Sequence, residues 1–380
     1  VTPGIEEHLQ SRRIRAYIGF DPTAPSLTIG NYVQIMLLTF LQRAGHQPVV
    51  LMGGATGRIG DPSGKDKERE LKTYDELDAN IARQVVQMKQ FLNFDPELPN
   101  RALLLNNYDF YKDMNVLAFL RDVGKTLTVN YMMSKDSVKN RLETGLSFTE
   151  FSYQLLQAYD FLVLYQKYGC RIQMGGSDQW GNITSGTEFI RRHLEDGKAF
   201  AVTTPLLTKA DGKKFGKSEE GNIWLDPNRT SAYKFYQFWI NADDADISKY
   251  LRYFTLKSKQ EVIDMEDTHK ENPRMLKQLL AEELTARVHS PEDLASVQKV
   301  TELLFGKTYD SPEALQQFSP AQLEMVKGEI TYKEIPSSLL GENISVIDLI
   351  SEHTGIVASK SEARKAIQNK AVSINKQKIE

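Results

Sequence analysis

The feature that most constrains this chain is the alternation, in its first half, of short apolar runs with amphipathic helical patterns. Four runs rich in β-branched, aromatic or other apolar residues predict strands at residues 16–20, 47–52, 102–105 and 170–174. A helical pattern from about Gly30 to Arg43 separates the first two. Strands that alternate with helices favour a parallel sheet with right-handed crossovers, and such sheets bind ligands beyond the carboxyl ends of their strands. We therefore expect an α/β fold with its site at that edge.

The second half of the chain has a different pattern, which predicts further domains. From about residue 231 to 329 the pattern is helical, with Lys- and Glu-rich faces and stripes of Leu, Phe and Tyr. Pro336 and Gly341 interrupt the next stretch, and the chain ends in a short helical pattern followed by strand-like residues 371–375. We expect a nucleotide-binding catalytic domain over residues 1–222, a helical domain over 223–329, a linker over 330–342 and a small module over 343–380.

Composition excludes several classes of protein. Hydrophobic residues make up 41% and charged residues 26% of the 380 residues, as in ordinary globular proteins. No apolar run approaches the ~20 residues that a membrane span needs, so we expect no membrane partner. The single cysteine, Cys170, excludes an internal disulfide and a cysteine-based zinc site, and it fits a reducing cytoplasm. We expect no protein-bound structural metal. The formal net charge of −3 disfavours a globally basic nucleic-acid binder but allows a local basic face.

Three polar residues share one face of an apolar helical pattern. Tyr153, Gln157 and Asp160 are four and three residues apart, among phenylalanines and leucines. They form either a partly exposed polar stripe, which spacing alone slightly favours, or the wall of a pocket for a polar ligand. In the second case Asp160 accepts a hydrogen bond from a hydroxyl group.

Two glycine-rich segments follow predicted strands. Residues 175–179 (GGSDQ) form either a tight turn with Asp178 as a helix N-cap, or a place where a nucleotide approaches the backbone and Asp178 holds its ribose. Residues 53–65 do not fit the phosphate loop G-x-x-x-x-G-K-[ST], because Lys65 precedes an aspartate. They form either a flexible surface loop or the rim of an ATP site, with Lys65 and Arg69 directed at phosphates.

A lysine-rich run follows at residues 208–218. It contains four lysines and two glycines. An exposed charged loop is the usual explanation of such a run. The functional alternative is a mobile loop that closes over a triphosphate, so that its lysines neutralise the departing pyrophosphate.

Together and in this order, these segments resemble bacterial tyrosyl-tRNA synthetases of class I. The resemblance runs from about Tyr17 to the C-terminus, and its most specific blocks are residues 19–24 (GFDPTA), 53–64, 147–153 (SFTEFSY), 175–184 (GGSDQWGNIT) and 214–218 (KFGKS). It implies a Rossmann-like catalytic domain, a helical domain and a small α+β RNA-binding module that is partly absent. It also implies a homodimeric enzyme that uses tyrosine, ATP (with accompanying Mg²⁺) and tRNA. Apolar residues 115–122 and 131–133 fit a dimer interface, although core packing explains them equally well.

The resemblance further implies a role for individual residues. At the tyrosine site it places Tyr17 and Asp160 on the phenol; Tyr153, Gln157 and Asp61 on the ammonium group; Asn107 in support of Asp61; and Gln179 near the carboxyl end. The ATP-binding residues are Gly19, Asp21, Thr28, Gly30, Asn31, Gly176, Asp178 and Lys217. The groups around the departing pyrophosphate are Thr23, Lys65, Arg69, Lys214, Lys217 and Ser218. The residues that contact tRNA are Arg191, Arg192, Lys360 and Arg364.

One segment departs from the family's pattern. The family has His-Ile-Gly-His where this chain has Thr28, Ile29, Gly30 and Asn31, so both histidines are replaced. Losing one transition-state donor costs about 3 kcal/mol. We expect activation to persist, with greater reliance on Thr23 and on the lysines.

Two other functions fit the same architecture. A tryptophanyl-tRNA synthetase is disfavoured by the Tyr17 and Asp160 pair and by the RNA-binding tail. A non-catalytic RNA-binding protein on a synthetase scaffold is supported only by the replaced histidines. The carboxylates and lysines argue against it, because an inactive site does not need them.

Overall fold

The computed structural model describes residues 1–11, 13–63, 67–142, 145–218, 221–306, 316–330, 332–341, 343–374 and 377–379. The chain forms two compact units. The first comprises Val1–Thr230 and Phe238–Leu284, and the second comprises Ser231–Gln237 and Thr285–Glu380. The large sheet and the candidate site belong to the first unit.

A five-stranded parallel sheet forms the centre of the first unit. Its strands are β1 Arg15–Phe20, β2 Gln47–Met52, β3 Leu103–Asn106, β4 Ile172–Gly176 and β5 Phe200–Thr204. They lie in the order β3-β2-β1-β4-β5, and every pair is parallel. The chain leaves β1 toward β2 and later returns to the other side of β1 as β4, which makes the β1–β4 boundary the switch point where such sheets bind ligands. The predicted α/β parallel sheet is therefore confirmed.

The helices and the shorter elements complete the chain. The α-helices are α1 Ile5–Ser11, α2 Ile29–Arg43, α3 Tyr74–Phe91, α4 Tyr108–Tyr111, α5 Val116–Ala118, α6 Val129–Met133, α7 Asp136–Leu142, α8 Phe148–Tyr168, α9 Trp180–His193, α10 Ala232–Ile240, α11 Asp244–Phe254, α12 Lys259–Thr268, α13 Pro273–Val288, α14 Pro291–Phe305, α15 Pro320–Glu329, α16 Val346–Asp348 and α17 Lys360–Gln368. Two small antiparallel pairs are β6 Lys217–Ser218 with β7 Gly221–Asn222, and β8 Ser373–Ile374 with β9 Gln377–Lys378. Of the strand-like residues predicted at the C-terminus, Asn375 lies outside the described part. Among the described residues, none of the helices is both long enough and apolar enough to cross a membrane.

Helix α8 contributes polar side chains to the site, and specific contacts fix where it begins and ends. Ser147 is its N-cap, and the Ser147 hydroxyl accepts a hydrogen bond from the backbone N–H of Glu150. Glu150 forms a bidentate ion pair with Arg141 of α7, at 2.9 and 3.0 Å, and both side chains are at most 3% exposed. The helix ends at Gly169, whose φ of 62° suits glycine. Tyr17 of β1 packs edge-on against Phe161, so α8 is held against the strand that lines the site.

Candidate active site

A pocket of about 220 Å³ lies beyond the carboxyl ends of β1, β2 and β4. It brings together residues from Tyr17 to Ile183, which are 166 positions apart in the chain. The predicted residues that line it are Tyr17, Gly19, Asp21, Thr23, Asn31, Asp61, Arg69, Asn107, Tyr153, Gln157, Asp160, Gly176 and Gln179. Lys65 lies outside the described residues. The exposed-stripe alternative for α8 is wrong, because Tyr153 and Asp160 are 6% and 2% exposed and both line this pocket.

Asp160 is a buried carboxylate with a donor on each oxygen. The Asn107 amide donates to Oδ2 at 2.9 Å, and the Tyr111 hydroxyl lies 2.7 Å from Oδ1. That hydroxyl is also 2.7 Å from the Leu156 carbonyl, but the carboxylate is the stronger acceptor for its single proton. Burial raises the pKa of Asp160 to about 7, although the hydrogen bonds from Asn107 and Tyr111 lower it. Asp160 is therefore an acceptor whose strength changes near neutral pH.

Asn107 supports Asp160 and Thr56, which corrects the expected support of Asp61. Its amide nitrogen donates to Asp160 and, at 3.0 Å, to the Thr56 hydroxyl, so both protons are used. Its carbonyl accepts from the backbone N–H of Ala55 at 2.7 Å. Because both amide protons and the carbonyl oxygen of this 1% exposed side chain are engaged, it is a rigid part of the pocket.

Asp61 is held by the start of α9. Gln179 donates to its Oδ2 at 2.7 Å, and Asn182 lies 3.3 Å from its Oδ1. The backbone N–H of Ser63 also donates to Oδ1, at 2.9 Å. Arg69 donates through Nε to the backbone carbonyl of Asp61 at 3.0 Å, which places the guanidinium at the pocket.

Asp21 is a second carboxylate with a perturbed pKa. It accepts hydrogen bonds from Thr56 at 2.7 Å and from the Tyr153 hydroxyl at 2.8 Å. Burial and, to a smaller degree, the neighbouring charge of Asp61 raise its pKa to about 6, although the hydrogen bonds from Thr56 and Tyr153 lower it. Gly53 makes this arrangement possible, because a Cβ there would lie only 2.0 Å from an Asp21 oxygen. A cationic ligand beside Asp21 would favour the ionised form of this carboxylate.

Several buried polar atoms of the pocket have no hydrogen-bond partner among the described residues. They are Tyr17 Oη, Gln34 Oε1, Gln157 Oε1 and Gln173 Oε1. Tyr17 is 1% exposed, and burial together with the Asp160 charge raises its pKa well above the usual range, so it is a neutral donor. Buried polar groups without partners are costly. Four of them around one cavity indicate that the natural ligand is polar.

Thr28 and Asn31, which stand where the family has histidines, together cap the start of α2. Thr28 is the N-cap, and its hydroxyl lies 3.4 Å from the backbone N–H of Asn31, which donates to it. In return, the Asn31 carbonyl accepts from the backbone N–H and from the hydroxyl of Thr28, both at 2.9 Å. The Thr28 side chain is therefore committed to Asn31. Because the Asn31 carbonyl is also occupied, its amide nitrogen is the group that can donate to a nucleotide in the pocket.

The lysine loop is anchored by its centre. Phe215 is 7% exposed and packs against Phe238, Trp239, Tyr250 and Phe254, with ring centroids 5.2–6.0 Å apart. On either side of it, Lys214 and Lys217 are exposed. The prediction of an exposed charged loop therefore holds for these two lysines but not for Phe215, which is buried.

The lysine loop also meets the start of α2. Gly216 has a φ of 84°, and a Cβ there would lie 2.8 Å from Ile29 and 3.3 Å from the Gly30 nitrogen. Ile223 joins the two segments, because its N–H donates to Gly216 O at 3.0 Å and its carbonyl accepts from Ile29 N at 2.9 Å. The two segments that resemble class I signatures are thus packed together, although about 185 residues separate them in the sequence.

The remaining predicted residues lie outside the lining of the pocket. Lys214 is near Asp178, because its charge lowers an Asp178 pKa that burial raises. Ser218 belongs to β6. Arg191 and Arg192 both pair with Glu188 on the surface of α9. In the second unit, Lys360 pairs with two carboxylates at 2.7 and 3.1 Å, and Arg364 is exposed.

Some polar residues that complete the site were not predicted. Gln34, Thr56 and Gln173 line the pocket, and Asn182 holds Asp61. A signal existed for Gln173, since it is a polar residue inside an otherwise apolar strand, where it must have a partner or a ligand. Thr56 and Asn182 act through residues that are distant in sequence, which spacing does not reveal.

Comparisons with known proteins agree with this geometry. A family model described as tRNA synthetases class I (W and Y) matches residues 9–306, and one described as Tyrosine--tRNA ligase SYY-like C-terminal domain matches residues 328–380. The tyrosine--tRNA ligase of Cytophaga hutchinsonii is 56% identical over 100% of this chain and 89% of its own length. That of Porphyromonas gingivalis is 52% identical with the same coverage. A C-terminally truncated mitochondrial tyrosyl-tRNA synthetase of Aspergillus nidulans is 32% identical, covers 77% of this chain and 86% of its own, and superposes with a TM-score of 0.69. The chain therefore belongs to the class I tRNA synthetases of the tryptophan and tyrosine family.

Proposed function

We propose that this protein is a tyrosine–tRNA ligase that forms tyrosyl-adenylate from tyrosine and ATP and then transfers tyrosine to the 3′-terminal ribose of its tRNA. The observation that carries the proposal is the pair at the bottom of the pocket. Tyr17 is a buried neutral donor without a partner among the described residues, and Asp160 is a buried acceptor close enough to perturb its pKa. The hydroxyl group of a phenol can accept a hydrogen bond from Tyr17 and donate one to Asp160, so a single ligand group satisfies both side chains.

The charges of the pocket suit the other end of tyrosine. Asp61 lies close enough for its charge to raise the pKa of Asp21, and Tyr153 and Gln157 line the same pocket. An ammonium group placed there relieves the repulsion between the carboxylates. We assign Asp61, Tyr153 and Gln157 to this group, with Gln179 toward the carboxyl end.

A neighbouring cavity supports the placement of the triphosphate. It has a volume of about 320 Å³, shares Asp21, Thr23 and Arg69 with the first pocket, and adds Lys67. The tyrosine carboxylate attacks the α-phosphorus of ATP, which enters as its Mg²⁺ complex, and pyrophosphate leaves toward these cations and toward Lys214 and Lys217. No covalent enzyme intermediate is needed, because positioning and stabilisation of the developing charge supply the catalysis.

The decisive experiment is ATP–pyrophosphate exchange driven by free amino acids. Exchange with tyrosine and none with tryptophan supports the proposal, because only the phenol satisfies both Tyr17 and Asp160. Exchange driven by tryptophan instead supports the tryptophanyl alternative. No exchange with either amino acid supports the non-catalytic alternative, and in both of these cases the proposal fails.

The tRNA step is assigned to basic side chains of both units. Arg191 and Arg192 are proposed to contact the acceptor arm, and Lys360 and Arg364 the remainder of the tRNA. The basic helix α17 suits an RNA backbone, whose binding weakens with salt.

The division into catalytic domain, helical domain, linker and C-terminal module remains part of the proposal. So does a cytoplasmic location, which rests on the tRNA substrate and on the single cysteine.

A homodimer is proposed on the basis of one exposed apolar segment. Val116 and Leu117 of α5 are 69% and 73% exposed, and Leu120, in the same segment, is 49% exposed. Apolar side chains exposed in one region mark interaction surfaces. Sedimentation of Val116→Asp and Val86→Asp variants tests this, since both valines are 69% exposed and only Val116 belongs to the segment. A shift to monomer is expected for Val116→Asp alone, and equal behaviour of the two variants contradicts the assignment.

A further inference from the structure

A second polar cavity lies at the opposite edge of the large sheet. It has a volume of about 350 Å³ and is lined by His8, Arg13, Arg15, Gln47, Tyr165 and Arg171. Arg15 and Gln47 begin β1 and β2, and Arg171 directly precedes β4. The first pocket is lined farther along the same strands, from Tyr17 of β1 and Gln173 of β4 onward, and the two cavities share no lining residue. The second cavity is therefore distinct from the site proposed for tyrosine and ATP.

Three arginines face this cavity, and their recorded partners are neutral. Arg13 donates to the Pro99 carbonyl at 3.1 Å. Arg15 donates to the Gln47 side chain at 2.6 Å and to the Tyr168 carbonyl. The Arg171 guanidinium lies 5.3 Å from the centre of the Tyr165 ring. In the described part of the chain, no carboxylate forms an ion pair with any of the three.

The fold explains the position of Arg15 but not why three arginines line one cavity. Arg15 binds a carbonyl of the last turn of α8, where a positive charge is favourable because of the helix dipole. Nothing comparable requires Arg171 or Arg13. Guanidinium groups stay protonated at any physiological pH, and an anion bound between three of them offsets the repulsion of their charges.

The donors that remain match an anion with several oxygens. Each guanidinium has five N–H donors in a planar fork, and the recorded contacts use one of them on Arg13 and two on Arg15. Such forks bind phosphoryl oxygens in pairs. A cavity of about 350 Å³ is within the range of small-molecule sites and is larger than one phosphate needs.

We propose that this cavity is a binding site for a phosphoryl anion, held by Arg13, Arg15 and Arg171. The ligand is inorganic phosphate or the phosphate group of a small phosphorylated molecule. The site is independent of the proposed enzyme activity, because it shares no residue with either cavity of that site.

The test is isothermal titration calorimetry of the full chain at constant ionic strength. The probes are inorganic phosphate and ribose 5-phosphate, with ribose as the uncharged control. One saturable site with a Kd below about 1 mM is expected. Arg171→Gln and Arg13→Gln should each weaken it at least tenfold, while Arg43→Gln, which removes an exposed arginine at the end of α2, should change it less than twofold. Binding of both probes identifies a phosphate ester as ligand, and binding of inorganic phosphate alone identifies the free ion.

Three results overturn the proposal. They are the lack of a saturable site, unchanged affinity in Arg171→Gln, or loss of binding in Arg69→Gln instead, which would place the anion in the first pocket. If Arg171→Gln does not fold, Arg171→Lys decides, because it keeps the charge but loses the fork. Weaker phosphate binding by this variant supports the site, and unchanged binding refutes it.

Discussion

The hydroxyl of Tyr17 can be removed by Tyr17→Phe, and the structure predicts opposite effects on stability and on substrate choice. In the folded protein this hydroxyl is buried and has no partner among the described residues. An unsatisfied buried hydroxyl costs about 1–3 kcal/mol. The variant keeps the ring and its packing against Phe161, so the free energy of unfolding should rise by about 1 kcal/mol.

Substrate selection should change in the opposite sense. If Tyr17 donates to the phenol of tyrosine, its loss removes one neutral hydrogen bond of about 0.5–1.5 kcal/mol. This corresponds to a decrease of about 2- to 13-fold in kcat/KM for tyrosine. Phenylalanine, which offers no hydroxyl, should lose nothing, so the preference for tyrosine over phenylalanine falls by the same factor. Asp160 remains as the second reader of the phenol, and for this reason the preference should not vanish.

Two assays on the same preparations measure these effects. ATP–pyrophosphate exchange gives kcat/KM for both amino acids, and urea unfolding followed by tryptophan fluorescence gives stability. All three tryptophans, Trp180, Trp224 and Trp239, lie in the first unit and therefore report on it.

Tyr250→Phe is the matched control. The Tyr250 hydroxyl lies 3.3 Å from Asp246 and is remote from the pocket lining, so this variant should lose stability and keep its substrate preference. The reasoning is refuted if Tyr17→Phe unfolds at lower urea than the natural protein, or if its preference for tyrosine is unchanged.

Three further predictions follow from the structure. Tyr111→Phe removes a hydrogen-bond donor that lowers the pKa of Asp160. The decrease in kcat/KM for tyrosine at low pH, expected near pH 7, should therefore move to higher pH. An unchanged pH profile contradicts the role of Asp160. Thr28→Ala removes a helix cap and should lower the free energy of unfolding by about 1 kcal/mol in urea titrations, while pyrophosphate exchange in Thr28→His tests whether a histidine there improves activation. Glu150→Gln removes the carboxylate charge from a buried bidentate ion pair with Arg141 and should cost about 3 kcal/mol, which a loss below 1 kcal/mol would contradict.

The sequence predicted the architecture well because strands buried on both faces have a strong signature. The residues of β2 are all buried, and the predicted bounds 47–52 match the structure. β5 was missed, since it is an edge strand whose last two residues are threonines and resemble the polar loop that follows. The family, named from its ordered motifs, is confirmed.

The site was predictable in its members but not in all of its connections. Pocket-lining residues such as Tyr17 and Asp160 follow from the motifs, whereas the partner of Asn107 depends on a contact across 53 residues. The cap formed by Thr28 had a local signal, because a threonine followed three residues later by a polar amide at a helix start is close to a capping box. The helical spacing of α8 could not show which face is buried, since periodicity defines a face and only packing determines its environment.

The burial of Phe215 has a consequence for the population of open and closed forms. A lysine loop that swings away as a lid must withdraw this ring from its four aromatic neighbours. Exposing a phenylalanine costs about 2 kcal/mol, so a form with the ring withdrawn would be about 30-fold less abundant than the anchored form. Most molecules would then hold Lys214 and Lys217 in place before ATP arrives. The stabilisation of the leaving pyrophosphate would be prepared in advance, and substrate entry would not wait for a rare movement of this loop.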